Sequence, residues 1–93
     1  MRLPIDNTDE LVKVVVRTPE KLLYEGECLA VSAQNSVGPF DVLAGHQNFI
    51  TNINGMVTLQ MMDEKQNLEY FVQVGVLRVN LNTVSLFIIL LSE

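Results

Sequence analysis

The sequence predicts an all-β domain, a β-sandwich or flattened barrel of nine to ten short strands, and three observations carry that prediction. Short runs rich in valine, isoleucine and leucine recur along the chain, and β-branched side chains suit a pleated, half-buried surface better than a helix. Turn residues punctuate those runs at close spacing, as in Thr18-Pro19, Asn35-Ser36-Val37-Gly38-Pro39 and Asn54-Gly55, a pattern of sandwiches and barrels. No helix-length segment shows apolar residues at a 3.6-residue period.

Each element follows from local chemistry. Residues 11–17 form the first strand, driven by Val12, Val14, Val15 and Val16. It stops at Thr18-Pro19, because proline has no N–H for a ladder and restricts the residue before it. Residues 22–24 and 27–34 read as the second and third strands around Gly26; in the third, Leu29, Val31 and Ala33 alternate with Cys28, Ala30 and Ser32. The turn cluster at 35–39 leads to a short apolar piece at 40–43 and a loop at 44–48 with a glycine-dependent turn. Residues 49–53 resume strand character. Asn54-Gly55 is a hairpin-type dipeptide favouring positive φ, and strand 56–62 follows. Residues 63–67 form a polar hairpin loop. In 68–74, Leu68, Tyr70, Val72 and Val74 share one face and Glu69, Phe71 and Gln73 the other, while Gly75 marks a bulge or a close backbone approach. Residues 76–81 continue the strand, 80–83 turn the chain, and 84–91 form the last strand. Its two faces, Val84/Leu86/Ile88/Leu90 and Ser85/Phe87/Ile89/Leu91, are both largely apolar, which predicts cover on both sides.

Composition bounds what this domain does. Ninety-three residues make one domain, read as a flexible extension at 1–10 and a single β-sandwich at 11–93. Hydrophobic residues are 48% of the chain and charged ones only 18%, below the usual quarter or so. Some apolar surface is therefore left for a partner, and the domain acts by binding proteins. Net charge is −5, and the six basic residues (Arg2, Lys13, Arg17, Lys21, Lys65, Arg78) are scattered along the sequence. Phosphate recognition needs concentrated positive charge, so nucleic acid and anionic lipid are excluded as partners. The lone cysteine, Cys28, reads as a small buried hydrophobe in a reducing compartment. The first ten residues carry three acids and no apolar run, unlike a secretory signal. The longest apolar run, 86–91, is six residues, against about 20 for a spanning helix.

No catalytic constellation emerges. His46, the only histidine, follows Asp41 by five residues, but no serine or cysteine nucleophile lies in a recognisable motif and one histidine cannot build a zinc site. Asp9/Glu10, Asp63/Glu64 and Glu25/Glu27 read as solvated charge. Gly38, Gly45, Gly55 and Gly75 are too widely spaced for a phosphate cradle and read as turn or bulge glycines. Met56, Met61 and Met62 read as core, the alternative being an adaptable binding surface. No catalytic, cofactor-binding or metal-ligating residue is assigned.

Five ordered segments carry a family resemblance. They are Val14-Val15-Val16-Arg17-Thr18-Pro19 with Tyr24-Glu25-Gly26; Gly38-Pro39-Phe40-Asp41-Val42-Leu43-Ala44-Gly45-His46-Gln47-Asn48-Phe49-Ile50-Thr51; Asn54-Gly55-Met56-Val57; Tyr70-Phe71-Val72-Gln73-Val74-Gly75-Val76-Leu77-Arg78-Val79; and Asn82-Thr83-Val84-Ser85-Leu86. Together they resemble the N-terminal β-sandwich of the epsilon subunit of F-type ATP synthase, from about Val12 to Leu86. There are departures. Asp41 stands at the family's second loop glycine, Ala44 at its usual proline and Val74 at the first of a glycine pair. Apolar residues 87–91 replace a polar stretch, and the family's C-terminal helical hairpin does not follow.

The resemblance implies a non-catalytic subunit of a rotary ATPase that docks on the gamma subunit of the central stalk and on the membrane c-ring. It implies that a loop containing Gly38, Pro39, Phe40, Asp41, Gly45 and His46 faces the ring. The domain then couples ion translocation to ATP synthesis or hydrolysis, without self-inhibition by extended helices. Its expected place is peripheral, on the cytoplasmic face of the inner membrane, with no direct insertion. The apolar strand end Phe87, Ile89 and Leu91 is the expected gamma-facing surface. The alternative is a free-standing β-sandwich that binds protein or ligand.

Overall fold

The computed structural model describes residues 10–91, so the expected N-terminal extension lies outside the described residues except for Glu10. Seven strands appear: β1 (Val12–Arg17), β2 (Leu22–Cys28), β3 (Ala30–Asn35), β4 (Gly38–Leu43), β5 (Phe49–Gln60), β6 (Leu68–Asn80) and β7 (Thr83–Leu90). A single 3₁₀ turn at Glu64–Gln66 occupies the β5–β6 connection, with the Asp63 side chain accepting from the Lys65 amide at 3.0 Å. The strands form one open sheet in the order β2-β1-β7-β6-β5-β3-β4. Neighbours are antiparallel except β1 and β7, which run parallel.

The expected nine to ten strands become seven because glycines expected to end strands are absorbed inside them. Gly26 pairs with Val14 in the middle of β2. Asn54-Gly55 makes no hairpin, because the segments before and after it both pair with β6. Gly55 takes its positive φ (79°) where the register with β6 shifts instead. Gly75 lies within β6, directly opposite Ile53 and Ile88.

The sheet covers its own core. Val12, Val14 and Val16 on β1, Val42 on β4, Leu59 on β5 and Leu86 on β7 are all buried and join one apolar cluster. Among the described residues no α-helix lies over them, so the two wings of the sheet must face each other. The bend sits at one bulge in β6, where Gln73 and Val74 oppose the single residue Asn54 of β5 and the register with β7 shifts as well. Bulges raise local twist and bend a strand. A bond from the Leu29 amide to the Gln60 carbonyl (2.8 Å) ties the β2–β3 connection to the far end of β5. Cys28 is buried, as expected, and burial pushes its thiol up to about 11.

The β6–β7 hairpin turns on Leu81 (φ 50°) and Asn82 (φ 64°), between the paired residues Asn80 and Thr83. Two successive positive φ values are those of a type I′ turn. Asn82 suits that geometry, whereas Leu81 does not and is also 81% exposed. Leu81→Asn is therefore expected to stabilise the isolated domain by about 0.5–1 kcal/mol. A rise in Tm of roughly 3–6 °C in a thermal melt checks this.

Candidate functional site

The last strand is covered on one face only, and on that face only as far as Ile88, since Leu90 is exposed. Val84, Leu86 and Ile88 are buried, while Phe87 (57% exposed), Ile89 and Leu91 stand on the outside. The expected cover on both sides is thus corrected: the β1–β2 turn at 18–21 borders the outer face and leaves Phe87, Ile89 and Leu91 exposed. The expected gamma-facing residues Phe87, Ile89 and Leu91 are all solvent-accessible, as such a role needs.

Register shows what surrounds them. Phe87 pairs with Val76 of β6 and with Arg17 of β1, and Val76 pairs in turn with Asn52 of β5. Ile89 pairs with Val74. The Leu91 amide donates to the Phe71 carbonyl (2.8 Å), and Phe71 pairs with Met56. The result is an apolar outer surface from Phe87 through Ile89 and Val74 to Leu91, Phe71 and Met56. A shallow groove of about 290 Å³ runs through it, bounded by Pro19, Val74, Val76, Phe87 and Ile89.

Val74 was not legible as part of this surface. Strict alternation places it with Val72, which is buried, but the bulge inserts a residue and Gln73 and Val74 are both exposed. The glycine at 75 was the available signal. An added Cβ there would sit 2.8 Å from the Phe87 carbonyl oxygen and 2.9 Å from Ile88 Cγ2, so the expected close backbone approach is real. Among the methionines, Met61 packs against the core, whereas Met56 and Met62 are exposed.

The stretch expected to be a ring-facing loop is an edge strand bracketed by two turns. Residues 38–43 pair with β3 from Asn35↔Gly38 to Ala30↔Leu43. At one end Gly38 (φ 142°) closes a tight turn in which the Val37 and Gly38 amides donate to Asn35 Oδ1 (2.9 and 3.3 Å). Val37 at its tip is 94% exposed. Pro39 lies on the open edge, where its missing N–H costs no ladder bond. Phe40 turns inward, packs on the core and meets Phe49 edge to face, 5.9 Å between centroids.

Asp41 points outward and accepts from Ser32 Oγ at 2.7 Å, with Gln60 Nε2 donating to the same hydroxyl. Its φ is not positive, so the chain does not turn where the family has its second glycine. The turn comes four residues later at Gly45 (φ 85°), where the His46 amide donates to the Leu43 carbonyl (3.2 Å). Asp41 and His46 make no bond to each other. The His46 ring lies 4.9 Å from that of Phe49, and its Nδ1 meets the Gln47 carbonyl at 2.9 Å. A carbonyl only accepts, so that bond requires the proton on Nδ1.

This second turn is stitched to the β6–β7 hairpin. The Gly45 amide donates to Asn82 Oδ1 (3.1 Å), the Leu81 amide to Asn48 Oδ1 (2.9 Å) and Asn82 Nδ2 to the Leu11 carbonyl (2.9 Å). His46 therefore shares a rim with exposed Leu43 and Leu81. Gly38 opens a six-residue strand about 20 Å long, and Gly45 lies two residues beyond its other end. Among the described residues no cluster of His, Cys, Asp or Glu is placed to hold a metal, and no helix is long and apolar enough to cross a membrane.

Known proteins agree with this architecture. Residues 11–88 match the family model described as ATP synthase, Delta/Epsilon chain, beta-sandwich domain. The ATP synthase epsilon chain of Clostridium perfringens (strain SM101 / Type A) is 39% identical over 74 residues, covering 78% of this chain and 55% of that protein. The ATP synthase epsilon chain of Clostridium botulinum (strain Eklund 17B / Type B) is 31% identical over 78 residues, covering 83% and 56%. The chain thus spans about half the length of the curated relatives it matches. Among solved structures, a chain of the Euglena gracilis mitochondrial ATP synthase (OSCP/F1/c-ring, rotational state 1) superposes with a TM-score of 0.77 at 17% identity, covering 85% of this chain and 51% of that one. A chain of the Tetrahymena thermophila mitochondrial ATP synthase central stalk/c-ring superposes with a TM-score of 0.70 at 17% identity, covering 83% and 62%. At that identity the structural likeness speaks for the fold, and the family assignment stands on the sequence matches: the chain belongs to the beta-sandwich family of ATP synthase delta/epsilon chains.

Proposed function

We propose that this chain is a non-catalytic, epsilon-type subunit of the central stalk of a rotary ATP synthase. It docks on the gamma subunit and on the membrane c-ring, and so couples ion translocation to ATP synthesis or hydrolysis. Its place is peripheral, on the cytoplasmic face of the inner membrane. The observation that carries this reading is the apolar outer face of β6 and β7, in a fold whose core is already closed by the sheet itself. Apolar side chains that serve no internal packing mark a partner site.

The ring-facing role falls to the β4 margin. Pro39, Asp41 and Leu43 alternate on the exposed side of that strand, and His46 follows at its end. Cross-strand bonds through Ser32 and the Asn82 stitch tie that margin to β3, to β5 and to the β6–β7 hairpin. A tagged chain expressed in its own cell is expected to recover a gamma subunit and c-ring together; recovery of neither overturns the proposal. His46→Ala combined with Asp41→Ala is expected to leave assembly intact and change isolated stability by less than about 1 kcal/mol. The same pair should lower the number of ions pumped per ATP hydrolysed. An unchanged ratio removes the β4 margin from the coupling path.

A further inference from the structure

We infer that Arg17 and Arg78 make the apolar outer face selective for a gamma-subunit surface whose apolar ridge is flanked by carboxylates. This rests on reading that face as the gamma-docking one, and it adds the chemistry of the partner. The chain carries a net charge of −5, yet two of its few cations bracket the most prominent aromatic of the face. Arg17 pairs directly with Phe87 across the parallel β1–β7 ladder. Arg78 pairs with Ser85, one outward position before Phe87 on the same strand. Diagonal neighbours on one face of a sheet lie within reach of long side chains.

Both guanidiniums lack an acidic partner among the described residues. Register explains why. The neighbours of Arg17 across the strands are Leu22 and Phe87, and those of Arg78 are Ile50 and Ser85. Glu25 and Glu27 sit on β2, beside Val15 and Lys13, and Glu69 pairs with Thr58 beyond the bulge. Lys21 and Glu20 border the adjoining hollow with Ile89 and Leu90. The cations next to Phe87 are thus left open.

An apolar partner alone would bury these charges uncompensated, which opposes docking. Lipid tails and a plain hydrophobic helix are therefore poor occupants, and a second copy brings the same arginines. A ridge with carboxylates on its flanks fits, because the planar guanidinium fork binds carboxylate through two parallel bonds.

The test measures affinity for the gamma subunit of the same ATP synthase, by titration at low and high salt, for wild type and for the Arg17→Glu/Arg78→Glu, Arg17→Lys/Arg78→Lys and Phe87→Asp variants. Circular dichroism and thermal melts verify folding of each. The charge-reversed pair is expected to bind about 100-fold more weakly, with the lysine pair intermediate and salt weakening wild type more than the reversed pair. Charge-reversed binding within about threefold of wild type, while Phe87→Asp loses binding, overturns the arginine inference and leaves the docking face standing. Wild-type affinity in every variant overturns the docking reading as well. Self-association through this face in place of gamma binding, seen by sedimentation, also overturns the inference.

Discussion

Gly75→Val is expected to destabilise the domain by about 2–4 kcal/mol, read as a fall in the urea midpoint of the isolated chain. The Cβ added there would meet the Phe87 carbonyl oxygen at 2.8 Å and Ile88 at 2.9 Å from Cγ2 and 3.2 Å from Cα. Two of those three atoms are backbone. The clash is with the β7 strand itself rather than with the end of a side chain that can swing away. β6 and β7 are central in the sheet, so moving one pushes on β1 and β5 together. Gly75 also follows the bulge that bends β6, where its pairing with Ile53 and Ile88 holds the two wings in register. Gly38→Ala is the control. It carries a positive φ but has open space around it, so its cost is conformational only, about 1–2 kcal/mol. A midpoint for Gly75→Val equal to wild type would mean that the β6–β7 approach is looser than described.

The second large effect separates two residues adjacent in sequence. Leu86→Ala removes a fully buried side chain and is expected to cost about 2–5 kcal/mol of stability. Phe87→Asp changes a side chain that is 57% exposed and is expected to leave stability within about 1 kcal/mol. Its cost falls on association, because the apolar ring is lost from the middle of the face and the new carboxylate stands opposite Arg17, where it engages the guanidinium that a partner's carboxylate would take. A loss of about 2 kcal/mol or more in affinity for the gamma subunit is expected, the range of an interface hot spot. Equal destabilisation of the isolated chain by both variants would show Phe87 to be core. Full affinity of Phe87→Asp would remove this face from the interface.

The inner half of this structure was legible because packing imposes a period of two. Val12, Val14 and Val16, then Val84, Leu86 and Ile88, are buried where alternation places them. The family resemblance was legible for a related reason: turn chemistry such as Thr18-Pro19 and Gly45-His46 occupies fixed offsets between those strands. The outer half was harder. Ser85/Phe87/Ile89/Leu91 is apolar enough to look covered, and no local rule states which apolar face stays uncovered in the single chain. The bulge at Gln73 and Val74 breaks the period and moves Val74 outward, which the pairing with β5 and β7 reveals. Asn54-Gly55 and the 38–46 stretch misled by one mechanism. Their turn residues are genuine, but β6 and β3 hold the chain extended through them, so positive φ is spent on a register shift and on strand ends.

The role proposed for this chain is to link the stalk to the ring. ATP-driven ion pumping tests it most directly, in membrane vesicles holding the ATP synthase depleted of this chain and then resupplied with it. Depleted vesicles are expected to hydrolyse ATP with little pumping, and adding wild-type chain is expected to restore pumping while Phe87→Asp does not. Full pumping without the chain, or equal restoration by both proteins, would contradict it.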